Sequence, residues 1–221
     1  MPVEHATSPV VRGRGRPVGA DSEQTRRTIL RAARDVIAEC GYAAATFAQI
    51  ATRAGVSRPT LHYYFGTREQ VYETLLGELH AQITSCIAEA QEQPQPRRQL
   101  VAFTSAVQRM CAEDPAAMRF LVAARVEQRR GPHRSAAAQR VVSAIHDFYD
   151  ALAEAAHRSG ELAPDADPRG VADMLASLFW GMGFHAGFVA EDGTASIVAR
   201  QLLQLFDDGL LTLPIGAPVD A

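Results

Sequence analysis

From Ser57 to Tyr64 the chain reads Ser-Arg-Pro-Thr-Leu-His-Tyr-Tyr, a run that holds a guanidinium, two aliphatic hydroxyls, an imidazole and two phenols but no carboxylate. If the run is helical, Leu61 and Phe65, four apart, point inward, and Arg58, Thr60, His62, Tyr63 and Tyr64 remain outside as donors and stacking groups. The chemistry open to such a face is noncovalent. Hydroxyls and helix N-termini seat a protein on phosphates, an arginine can read guanine, and an aromatic ring or a threonine methyl can touch a thymine methyl. The plainer alternative is that Tyr63 and Tyr64 cover the edge of a core.

The elements that must position this run are short. Thr46 followed by Gln49 makes a capping box for a helix with Phe47, Ile50, Ala51 and Ala54 on its inner face, and Gly55 ends it. Ser57 caps the next helix, where Pro59 is tolerable because first-turn N–H groups lack helical partners anyway. Two helices of this length need a clamp. One side is a helix carrying Ile29, Ala33, Val36, Ile37 and Cys40 at helical spacing, with Asp21 or Ser22 as cap and Gly41 as stop; the other is a long helix that starts at the Thr67–Gln70 capping box and runs to about Gln91. The sharp Gly55-Val56-Ser57 link sets the short pair steeply, the helix-turn-helix arrangement whose second helix can enter a major groove.

Charge supports a polyanionic partner. All 22 basic residues are arginine; residues 1–68 hold ten of them against five carboxylates, a net of +5, while residues 69–221 carry a net of −8. A solvated surface with a bias for arginine over lysine is the other reading. The three cysteines, Cys40, Cys86 and Cys111, suggest neither a disulfide framework nor a metal cluster, and a reducing cytoplasm fits them. No apolar leader opens the chain, so export is not expected. Met174 to Ala190 is apolar apart from His185, yet at seventeen residues with three glycines it is a poor membrane span and reads as a buried helix with partners on several sides.

The run TFAQIATRAGVSRPTLHYYFGTREQVYETLL, residues 46–76, resembles the TetR family of bacterial transcriptional regulators, with Thr46, Ile50, Ala51, Ala54-Gly55-Val56-Ser57, Thr60-Leu61, Tyr64-Phe65 and a basic residue at the start of the next helix at the family's spacing. The motif-level likeness covers roughly residues 23–76. It implies that Thr46 and Ser57 contact phosphates, that Arg58, Thr60 and Tyr63 face the groove, and that His62, Tyr64 and Arg68 meet the backbone of double-stranded DNA. Three positions depart from the pattern: Pro59 stands where glycine is common, His62 where tyrosine is usual, and Arg68 where lysine is usual. Ahead of this unit, Arg12-Gly13-Arg14-Gly15-Arg16-Pro17 resembles a minor-groove hook, with Arg14 and Arg16 as its contacts, or else a solubilising tail.

The expected architecture is all-α: a flexible arm over 1–20, a helix-turn-helix DNA-binding domain over 21–68, a helical regulatory and dimerisation domain over 69–211 and a flexible tail over 212–221, about nine helices in all. One such unit reads few base pairs, so two copies must pair across a palindromic operator. Helices 8 and 9, with Ala172, Ala176, Gly183 and Gly187 for close approach and Leu178, Leu202, Leu205 and Phe206 for apolar area, resemble the family's homodimer interface; otherwise helix 8 is the centre of the monomer. Phe103, Met110, Phe120, Phe148, Trp180, Phe184 and His185 could line a cavity for a flat or greasy small-molecule effector, or could be plain core. Helix 4 is expected to transmit the effector's influence as the one element joining both halves.

Enzymatic readings have little support. Glu154-Ala-Ala-His157 matches half of a di-iron motif whose second copy and further glutamates the sequence does not show. There is no His-Glu-x-x-His zinc site, phosphate-cradling glycine loop or nucleophile–base pair, so no cofactor, metal or membrane is expected. The function expected is that of a repressor released from its operator by a small hydrophobic or aromatic ligand; a regulator of the same fold without an inducer is the alternative.

Overall fold

A computed structural model describes residues 18–130, 135–189 and 194–207. Among these, nine α-helices follow one another: α1 (Val18–Cys40), α2 (Phe47–Ala54), α3 (Arg58–Tyr64), α4 (Arg68–Gln91), α5 (Pro96–Glu113), α6 (Pro115–Arg130), α7 (Ala136–Arg158), α8 (Pro168–Phe184) and α9 (Thr194–Asp207). A π-turn over His185–Val189 extends α8. The described residues contain no strand.

Most boundaries follow local chemistry. Thr46, Ser57, Thr67, Ser135 and Asp167 each accept backbone N–H bonds as N-caps, and Pro96 and Pro168 stand in first turns, where a missing donor is harmless. Helix α1 begins at Val18, ahead of the expected Asp21 or Ser22 cap; Asp21 lies inside its first turn, where a carboxylate favours the positive end of the helix dipole. The arginines of the preceding arm lie outside the described residues.

The core is continuous from the short helices to α8. Ile29, Ala33, Val36 and Ile37 of α1 are buried together with Ile50, Leu61 and Phe65, whereas Cys40, expected on the same face, is exposed at the helix end. Two expectations are corrected. Helix α4 is not the one element joining the halves, because α1 packs more extensively on α6 than on α4. The apolar run through α8 is not covered all round either: Met174, Phe184, Phe188 and Val189 are exposed in the protomer. No helix among the described residues is long and apolar enough to cross a membrane.

Candidate nucleic-acid interface

The presenting surface is built from two caps and a glycine. The Thr46 hydroxyl accepts from Gln49 N at 3.3 Å while Gln49 Oε1 accepts from Thr46 N at 2.8 Å, so α2 starts on a closed capping box. Gly55 ends α2 in the left-handed region at φ 66°, where a side chain would be strained. Ser57 then caps α3, accepting from Thr60 N at 3.1 Å. With Leu61 and Phe65 buried, the opposite side of α3 faces outward, and Tyr63 is 82% exposed. Arg58 and His62 are exposed beside it, and Thr60 and Tyr64 are half-buried.

Neighbouring rings hold that face in shape. His62 meets Phe47 edge-on at 4.8 Å, and Tyr64 meets Tyr63 edge-on at 5.2 Å. The two hydroxyls that the resemblance assigns to phosphates also serve as caps: Thr46 Oγ1 donates to Gln49 Oε1 at 2.7 Å, and Ser57 Oγ lies 2.8 Å from Thr60 Oγ1. Arg68 is turned inward. Its Nη1 donates to Ala45 O at 2.7 Å and Ala43 O at 3.2 Å, with the guanidinium 4.5 Å from the Tyr42 ring centre, so it ties the loop after α1 to the start of α4. Arg53 is paired through both nitrogens, at 2.8 Å each, with Glu39, whose carboxyl those hydrogen bonds hold below its ordinary range. Arg14 and Arg16 lie outside the described residues.

The seven residues expected around an effector do not share one place. Phe103 and Phe148 meet as tilted rings at 4.6 Å in a buried cluster with Tyr149 and Phe179, two aromatics that sequence reasoning did not single out. Met110 is buried on α5. Phe120 meets Tyr72, which stacks on Tyr42, so it belongs to the joint between the body and the short helices. Phe184 is 53% exposed and stacks on Phe188. Trp180 and His185, five positions apart, lie about 140° apart round an ideal helix and border opposite sides of the exposed strip. Each keeps a buried ring nitrogen, Nε1 and Nε2, without a protein hydrogen-bond partner among the described residues. The Arg125 guanidinium, also not foreseen, sits 5.6 Å from the Trp180 ring centre; burial lowers its pKa, and no carboxylate pairs with it among the described residues.

Two short helices joined by the three-residue link Gly55-Val56-Ser57, offering a carboxylate-free face and seated on a larger helical body, form the helix-turn-helix arrangement of DNA-binding transcriptional regulators. Residues 29–75 match the model described as bacterial regulatory proteins, tetR family. Over that segment the chain is similar to the DNA-binding part of the TetR family. It is 26% identical over 193 residues to the HTH-type transcriptional regulator BetI 2 of Chromohalobacter salexigens, covering 85% of this chain and 88% of that one. The fold is similar to that of the ketosteroid transcriptional regulator KstR2 of Mycobacterium tuberculosis, with a TM-score of 0.71 at 20% identity, covering 86% of this chain and 95% of the other. It is also similar to FadR of Bacillus subtilis, solved in complex with stearoyl-CoA, with a TM-score of 0.64 at 21% identity over 81% of this chain and 96% of that one.

Proposed function

We propose that the protein is a homodimeric repressor that binds a palindromic operator through two copies of α3 and leaves it when a small hydrophobic or aromatic molecule binds the body. The observation that carries this reading is the acid-free outer face of α3, with Tyr63 almost fully exposed on it. Arg58, Thr60 and Tyr63 read the groove, His62 and Tyr64 lie along the backbone, and the N-terminal ends of α2 and α3 at Thr46 and Ser57 present backbone N–H groups to phosphates. Arm residues Arg14 and Arg16 extend the contact into a flanking minor groove.

The pairing surface is the exposed strip of α8 and its π-turn together with α9, where Met174, Phe184, Phe188, Ile197 and Val198 stay open in one protomer. Apolar area of that kind rimmed by polar groups marks an interface. For the effector, Trp180 offers a flat face and an indole N–H, and Arg125 offers a charge beside it, neither with a hydrogen-bond or ion-pair partner among the described residues. The structural neighbours, a ketosteroid transcriptional regulator and a FadR solved with stearoyl-CoA, support apolar effectors on this fold. Only an effector that binds the DNA-incompetent arrangement better can release the operator, and a tenfold preference supplies about 1.4 kcal/mol.

The test is selection of bound duplexes from a random library, then fluorescence anisotropy at several salt concentrations. An inverted repeat preferred over its scrambled version is the expected result. Absence of any preferred inverted repeat overturns the reading. A steroid and acyl-CoA panel, followed through Trp180, the chain's one tryptophan, separates ligand-released from ligand-independent regulation.

A further inference from the structure

Arg34 lies on α1, in the reading half of the molecule, but its guanidinium is spent on the body. Nη2 donates to Glu78 Oε2 of α4 at 3.3 Å, and Nη1 pairs with Asp114 at the corner between α5 and α6. The side chain is only 12% exposed, whereas two other ion pairs of the reading half, Arg27–Glu23 and Arg53–Glu39, involve side chains at least 43% exposed. Exposed pairs of that kind hold little, but a desolvated cation that loses its partner is severely penalised.

The corner that Arg34 grips is itself fixed. Asp114 closes α5 with its N–H on Met110 O and opens α6 by accepting from Ala116 N at 3.1 Å through Oδ1 and from Ala117 N at 3.0 Å through its carbonyl. One half-buried charge therefore joins α1 to two body elements at once, on the side where α1 packs on α6.

We infer that Arg34 is a positioning residue that fixes the angle of the reading unit on the body and thereby the half-site spacing that a pair of protomers accepts. This rests on the dimeric, palindrome-reading function proposed above. The three-way grip allows one orientation; without it α1 pivots on apolar contacts, which have no direction of their own.

The experiment uses the full-length chain and inverted repeats with identical half-sites and spacers changed one base pair at a time, with anisotropy as readout. Wild type is expected to lose affinity by about tenfold or more on moving away from its best spacer, since half-site spacing is a geometric match. Arg34→Met is expected to flatten that profile to within about threefold, and Arg34→Lys to restore part of its sharpness. Asp114→Asn keeps a residue that caps helices well, so α6 keeps its start while the charge pair is lost, and it too should flatten the profile. It also stands in should Arg34→Met not fold. A folded variant, checked by circular dichroism, whose profile keeps the wild-type shape at uniformly weaker affinity overturns the inference while leaving the proposed function intact. A wild-type profile without any spacer preference overturns the palindrome reading, and this inference with it.

Discussion

Tyr63 on α3 and Ser57, the cap that precedes that helix, separate binding from stability. Tyr63 is exposed and supports nothing beneath it except the edge of Tyr64. Tyr63→Ala should change thermal stability by no more than about 0.5 kcal/mol while weakening operator binding by about 1–3 kcal/mol, as melting curves and anisotropy on one preparation would show. Ser57→Ala should do the reverse in part, since losing the cap costs about 1 kcal/mol of stability and frays the turn that aims α3. Both residues were legible in the sequence, because a cap and its partner lie three positions apart and an acid-free face needs no tertiary information. Arg68 was not: its acceptors are the carbonyls of Ala43 and Ala45, more than twenty residues upstream, and no local pattern announces so distant a bond. The contact of Arg125 with Trp180 was hidden for the same reason, since the two come from different helices.

Helix packing decides the next set of outcomes. A methyl added at Gly183 would meet the Met118 sulfur at 2.8 Å, the far end of a flexible side chain, but at Gly187 it would meet the Arg119 Cα at 3.1 Å, which is backbone. The π-turn that holds Gly187 also brings its carbonyl 2.6 Å from Arg119 Nε, pinning α6 to the end of α8. Gly183→Ala should stay near neutral, because Met118 can swing and alanine favours a helix by up to about 1 kcal/mol. Gly187→Ala should lower stability by about 1–3 kcal/mol in denaturant titrations, the usual cost of overpacking. The small residues of α8 were expected to leave room for a second protomer, but Gly183 and Gly187 face Met118 and Arg119 of α6 in the same chain and Ala172 and Ala176 are buried within it; nor did the sequence announce that the last turn would widen. The early start of α1 escaped for a simpler reason: Asp21 serves a first turn as well as it serves a cap, so its presence does not fix the boundary.

For the molecule as a whole, the proposed pairing and the placement of charge govern the expected behaviour. Phe184 is 53% exposed and Ile197 58% exposed, so the double variant Phe184→Asp, Ile197→Asp should sediment as a folded monomer and bind a full operator no better than a half-site. A wild-type chain that already sediments as a monomer at micromolar concentration would remove this surface from consideration. Deleting residues 1–17, with Arg12, Arg14 and Arg16, should flatten the salt dependence of operator binding by about one unit of slope per lost phosphate contact. The division into a basic head and an acidic body was plain from charge placement alone. How the two halves meet was not, because the α1–α6 seam and the Arg34 grip join residues far apart in sequence, Arg34 lying 44 positions from Glu78 and 80 from Asp114.

The chemistry of the three thiols has a practical corollary. Cys86 and Cys111 are buried and half-buried, and burial raises both thiol pKa values, Cys111 to about 11, so neither offers much thiolate at neutral pH. Cys40, exposed at the end of α1, is left as the natural attachment point for a maleimide spin label or dye. In an assembled pair, one label per chain would act as a ruler between the two heads, reporting their separation without any engineered cysteine and showing directly whether a bound metabolite spreads them.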